Sequence, residues 1–161
     1  MRIEAWRIYQ ALSLIAALTL LAWPLPDSYA PWQPQWVAMI LIFWMSVRPE
    51  KAGFGMAWAA GLLSDLVTGS WIGIHVLSYC LIVFLCLRFY RVLQLSSTLQ
   101  KTFPVGFLLV LHMGYLHLFS IFLSNIDPGL LYWASLPTSL LVWPILHHLM
   151  KKIPVGETPM I

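Results

Sequence analysis

Charge is scarce in this chain, and its scarcity excludes more than any motif asserts. Asp, Glu, Lys and Arg make up 9% of the 161 residues and apolar residues 60%, whereas globular chains carry about 25% charge. A soluble domain is excluded. The nine Lys and Arg fall in short clusters at the ends of apolar segments, so the formal charge of +3 reads as a topology signal. It is not a phosphate-binding face, and nucleic acid is excluded as a partner. Cysteine is nearly absent. Cys80 and Cys86 lie in one apolar run, too far apart on a helix for a disulfide, and read as apolar packing that carries no redox information. Catalytic patterns are missing too: there is no HExxH, no GxSxG and no P-loop glycine run. The one acid inside an apolar run, Asp65, has no second carboxylate nearby for acid–base work. His112 and His117 stand about 140° apart around a helix and share no face for a metal. His147 and His148, beside Lys151, read as interfacial. The chain is therefore expected to be non-enzymatic, with no catalytic, cofactor-binding or metal site.

What is abundant is long apolar sequence. Segments fall at about 8–23, 36–47, 53–68, 72–90, 103–124 and 130–149, separated by Pro, Gly or charge. Trp23-Pro24 closes the first, and Arg48-Pro49-Glu50-Lys51 the second. Arg88, Arg91 and Lys101 bracket a polar connection containing Gln94, Ser96 and Ser97. Asn125-Asp127-Pro128-Gly129 forms a turn, and Lys151-Lys152 ends the last segment. A transmembrane helix takes about 20 residues, so a chain of this size holds at most six to eight spans and no soluble catalytic domain. The expected fold is all-α: a single polytopic membrane domain, residues 1–161, with six transmembrane helices. With the N-terminus cytoplasmic, six crossings put all nine Lys and Arg inside, and the connections 24–35, 69–71 and 125–129 carry none. Fusing the second and third segments would strand Arg48 and Lys51 at mid-bilayer, at about 2.5–3.5 kcal/mol each. Both termini are thus expected to be cytoplasmic. The first segment is expected to stay as an anchor, although Ser28-Tyr29-Ala30 resembles a signal-peptide cleavage site.

Length is the weak point. Segment 36–47 is only about 18 Å long as a helix. It either borrows flanking residues and lets Arg48 snorkel, or forms a re-entrant pair with the third segment. Trp23, Trp32, Trp36, Trp71 and Trp133 gather near the outer boundary and Trp6, Trp44 and Trp143 near the inner one, as an aromatic belt would. Pro137 and Pro144 predict a kinked last helix, with Thr138 and Ser139 positioned to help satisfy the local backbone.

The most informative stretch is GFGMAWAAGLLSDLVTGSWIGIH, residues 53–75. It reads as a helical hairpin turning near residues 70–71. In an antiparallel hairpin with that turn, positions whose numbers sum to about 140 lie at one depth, which brings Asp65 level with His75. The two side chains either hydrogen-bond, each offsetting the other's desolvation, or Asp65 faces interfacial water while His75 packs separately. Ala57, Ala60, Gly61 and Ser64 form a small-residue face. It serves either internal packing or docking of a partner helix.

These residues carry a family resemblance. The approach Pro31-Trp32-Gln33-Pro34-Gln35-Trp36-Val37, followed by Gly55 and then Gly61-Leu62-Leu63-Ser64-Asp65-Leu66-Val67-Thr68-Gly69-Ser70-Trp71-Ile72-Gly73, resembles the MreD family of bacterial rod shape-determining membrane proteins. The specific part is residues 31–75. The resemblance implies an inner-membrane, non-enzymatic subunit of the lateral cell-wall elongation machinery. It would scaffold MreC, a bitopic protein, and connect directly or indirectly with MreB, RodA and a class B penicillin-binding protein in peptidoglycan synthesis. It implies a fold similar to the substrate-binding S-components of vitamin transporters. No catalytic residues transfer. Asp65, Gly69, Gly73 and His75 stand as a structural hairpin motif. The competing reading is a small-molecule-binding component of a vitamin-type transporter, with Trp71, Asp65 and His75 lining a pocket.

Overall fold

The computed structural model describes residues 5–49, 52–90, 98–125 and 127–152. Arg2, Glu50, Lys51, Arg91 and the polar stretch Gln94–Ser97 lie outside the described residues. The fold is all-α. Among the described residues its helices are α1 (Ala5–Leu21), α2 (Trp36–Val47), α3 (Phe54–Thr68), α4 (Ile74–Arg88), α5 (Thr98–Ser124) and α6 (Ser135–Lys151). Short 3-10 turns precede α2, at Ala30–Trp32, and α6, at Leu130–Ala134.

The shortest helix is the centre. α2 packs against each of the other five, and Val37 through Ser46 are all buried. A helix apolar all round belongs inside a fold. Its length, puzzling for a lipid-facing span, is explained because its ends meet protein. The Gln35 amide N–H donates to Ser139 Oγ at 2.9 Å, and Gln35 Nε2 donates to Ser135 Oγ at 3.1 Å, so α6 supplies partners at the start of α2. Trp44 Nε1 donates to Ser13 Oγ of α1 at 2.9 Å. Gln33 Nε2 donates to the Leu20 carbonyl at 2.6 Å, satisfying an acceptor at the C-terminus of α1.

The outer helices are apolar on the side away from α2. Ile8, Leu12 and Ile15 of α1, Trp58 and Leu66 of α3, Leu77 and Phe84 of α4, Phe107 and Leu118 of α5, and Leu141, Ile145 and Leu149 of α6 are exposed. Ser64, Asp65, Ser78, His112, Ser135, Ser139 and His147 are buried. Exposed apolar surface on this scale is consistent with a membrane protein, whose outer faces meet lipid or partner helices. Among the described residues one helix, Gln100–Leu123, is by itself long and apolar enough to cross a membrane. Trp6–Leu21, Phe54–Thr68 and Ile74–Arg88 are apolar but shorter.

Several expectations are corrected. Trp44 and Trp143 belong to the core, each with 0% exposure, rather than to an aromatic belt. Arg48, at the C-cap of α2, is 7% exposed. His147 is buried against Phe43 and Trp143 rather than interfacial, because α6 continues past it to Lys151. Residues 130–134 form a 3-10 turn, so the last helix starts at Ser135. α5 starts at Thr98 and carries Pro104 inside it. As expected, the Thr138 and Ser139 hydroxyls satisfy local backbone, donating to the carbonyls of Ala134 and Ser135.

Candidate functional site: the locked hairpin of α3 and α4

The α3 and α4 backbones approach one another closely, and Gly61 is the reason. A Cβ built at Gly61 would run into the Val76 Cα and lie 2.9 Å from the His75 carbonyl carbon. Only glycine lets the two backbones approach so far. Ala57, Ala60, Gly61 and Ser64 are all buried along this side of α3. In this structure that small-residue surface is taken up within the chain.

The turn follows from glycine geometry and one carboxylate. Gly69 ends α3 in the left-handed region with φ of 65°, and its N–H returns to the Asp65 carbonyl. Ser70 N–H also donates to that carbonyl, at 3.1 Å, as in a Schellman-type ending. Gly73, with φ of 107°, then launches α4, and a side chain at either glycine would be strained.

Asp65 occupies the position where the two helices join. Its carboxylate is buried, with 0% side-chain exposure, and donors converge on both oxygens. Gly73 N–H donates to Oδ2 at 2.7 Å, and His75 N–H donates to Oδ1 at 3.0 Å. Ser70 Oγ donates to Oδ1 at 2.9 Å, and His75 Nδ1 lies 2.8 Å from the same oxygen. The acid of one helix thus caps the first turn of the next. A helix N-terminus presents unpaired N–H groups and a positive dipole end, which favours a carboxylate there. Thr68 Oγ1 donates to Ser70 Oγ at 3.0 Å, orienting the serine.

A buried polar layer lies beneath. Ser64 Oγ is 3.4 Å from Tyr79 Oη, and Ser78 Oγ is 2.6 Å from His112 Nδ1 of α5. The Tyr79 and His112 rings stack with centroids 5.2 Å apart. The sequence singled out His112 only as a metal candidate; its tie to Ser78 and Tyr79 depends on how α4 meets α5 and has no local signature. His117 lies apart, 3.7 Å from the exposed Asp127. Among the described residues no three His, Cys, Asp or Glu side chains are grouped to hold a metal ion. Chemically, the arrangement fixes a helix joint: backbone and side-chain donors of the turn and of α4 engage both oxygens of Asp65.

Comparison with known proteins agrees with this reading of a membrane-embedded structural unit. A family model described as rod shape-determining protein MreD matches residues 1–153. The rod shape-determining protein MreD of Haemophilus influenzae is 26% identical over 152 residues, which cover 92% of this chain and 91% of that protein. No solved structure matches the chain, so the likeness to transporter components rests on the family resemblance alone. The apolar outer surface, the glycine-bounded hairpin with its capping acid, and a family match running nearly end to end lead to one assignment: the chain belongs to the MreD family of rod shape-determining proteins.

Proposed function

We propose that the chain is a multi-pass inner-membrane scaffold of the cell-wall elongation machinery, holding a bitopic MreC-like protein in place. Through that protein or directly, it would connect to MreB, RodA and a class B penicillin-binding protein. Family membership gives the general role in rod shape and a non-catalytic character. The observation that carries the scaffold reading is the distribution of apolar side chains. Each peripheral helix turns apolar residues outward, while the polar groups face inward and are largely tied to one another. Binding of partners is then a matter of helix faces within the bilayer.

The proposed topology has six crossings. The connections 22–35, 69–73 and 127–134 lie at one end of the bundle, where the turns Ala30–Trp32 and Leu130–Ala134 pack together. Arg7, Arg48, Arg88, Lys101 and Lys151 stand at helix ends opposite to it. The positive-inside rule makes the basic end cytoplasmic, and with it both termini. α2 crosses as a helix enclosed by protein. Because Ala57, Ala60, Gly61 and Ser64 are buried, the partner contacts of this reading fall on outward faces, such as that carrying Trp58 and Leu66.

Affinity purification of the tagged protein from detergent-solubilised membranes tests this reading. MreC-like and RodA-like proteins are expected to co-purify. Recovery of an ATPase module with a bound vitamin, and no elongation component, would replace scaffolding with transport.

A further inference from the structure

The turn end of the bundle contains a cleft of about 390 Å³ between the α3–α4 turn, the first turn of α4, α5 and the segment before α6. Trp71, Phe119 and Tyr132 form aromatic walls, with Leu116 behind them and His75 and Ser120 among the polar lining groups. Small-molecule sites have this character: volumes of roughly 300–1,000 Å³, mostly apolar walls and a few placed polar groups.

His75 is fixed for one task there. Its Nδ1 faces an Asp65 oxygen that already accepts the His75 amide and the Ser70 hydroxyl, so Nδ1 carries the proton and donates. Nε2 is then the acceptor left over, on a side chain 13% exposed that lines the cleft. Charge narrows the ligand. Asp65 holds His75 at the cleft, Asp127 adjoins the lining residue Pro128, and the described Lys and Arg side chains belong to the opposite end, so an anion would meet no lysine or arginine. Further along α5, Met113, Leu109 and Val105 are 0% exposed and close the bundle. A molecule in the cleft is held rather than passed through.

We propose that this cleft binds a small uncharged ring-bearing molecule that donates an N–H or O–H hydrogen bond to His75 Nε2. The site is separate from the scaffolding reading and does not depend on it. The test uses the full chain in lipid nanodiscs with ¹⁵N-labelled histidine, and indole and 1-methylindole as probes. The His75 ring signals are assigned by their loss in His75→Gln. Indole is expected to shift them saturably. 1-Methylindole, which has no N–H, is expected to bind about tenfold more weakly, the worth of one good hydrogen bond. Leu116→Trp, which fills the cleft, should abolish the shift while the protein stays folded. Absence of a saturable shift up to the solubility of indole would overturn the proposal. So would equal affinity for the two probes, or a shift that survives in folded Leu116→Trp. If Leu116→Trp does not fold, the comparison of the two probes on the unsubstituted protein decides alone.

Discussion

Replacing Asp65 by alanine is the sharpest perturbation of the hairpin. The substitution removes the acceptor for the Gly73 and His75 amides, the Ser70 hydroxyl and His75 Nδ1, all within 3.0 Å of a carboxylate oxygen. Loss of a helix N-cap alone costs about 0.5–2 kcal/mol, and each buried donor left unpaired adds about 1–3 kcal/mol. The Ser70 and His75 side chains can turn toward the cleft, so the two amides dominate, and the expected loss is about 3 kcal/mol. For a chain of this size that corresponds to a fall in Tm of about 6–12 °C. Thermal unfolding in detergent reads it directly, with Asp127→Asn, at an acid whose side chain is 73% exposed, as the control. A double-mutant cycle with His75→Ala isolates the side-chain pair, with an expected coupling of about 1–2 kcal/mol. A Tm loss no larger than the control's would refute the capping argument, and additive single losses would refute the pair.

The other predictions concern packing. Gly61→Leu forces α3 and α4 apart at Val76 and should cost more than the about 1–3 kcal/mol typical of overpacking; an unchanged Tm in detergent would contradict the close approach. His147→Leu should leave Tm unchanged or raise it by a few degrees, because both ring nitrogens are buried without a partner among the described residues, and replacing an unsatisfied polar group by an apolar one is favourable by about 1 kcal/mol or more. A clear fall in Tm would show that His147 has a bonding role.

What the sequence disclosed, and what it withheld, follows from whether the cause was local. α2 was readable at about 36–47 because proline and arginine bracket an almost wholly apolar run, and Trp36–Val47 is the helix found. Its central place was not readable, because a helix apolar all round looks the same whether it faces lipid or protein. The depth argument for residues 65 and 75 depended only on the turn, and those side chains lie 2.8 Å apart. The amides of Gly73 and His75 as further partners of Asp65 were not foreseen, because the cap comes from another helix and leaves no S-x-x-E type pattern. Pro104 hid the true start of α5, since a proline reads locally as a boundary. His147 and Trp143 were misplaced because lysines nearby suggest an interface, while burial depends on how α6 packs against α2.

The most direct test of the account is cell shape in the rod-shaped organism that carries the gene. Depletion should round the cells, and a second copy of the protein or of its Asp127→Asn form should restore rods. Asp65→Ala, compared at equal membrane abundance, should fail to do so and should recover less of the MreC-like partner. Rods that persist through depletion would contradict the assigned role, and full rescue by Asp65→Ala would contradict the claim that the locked hairpin is what the machinery depends on.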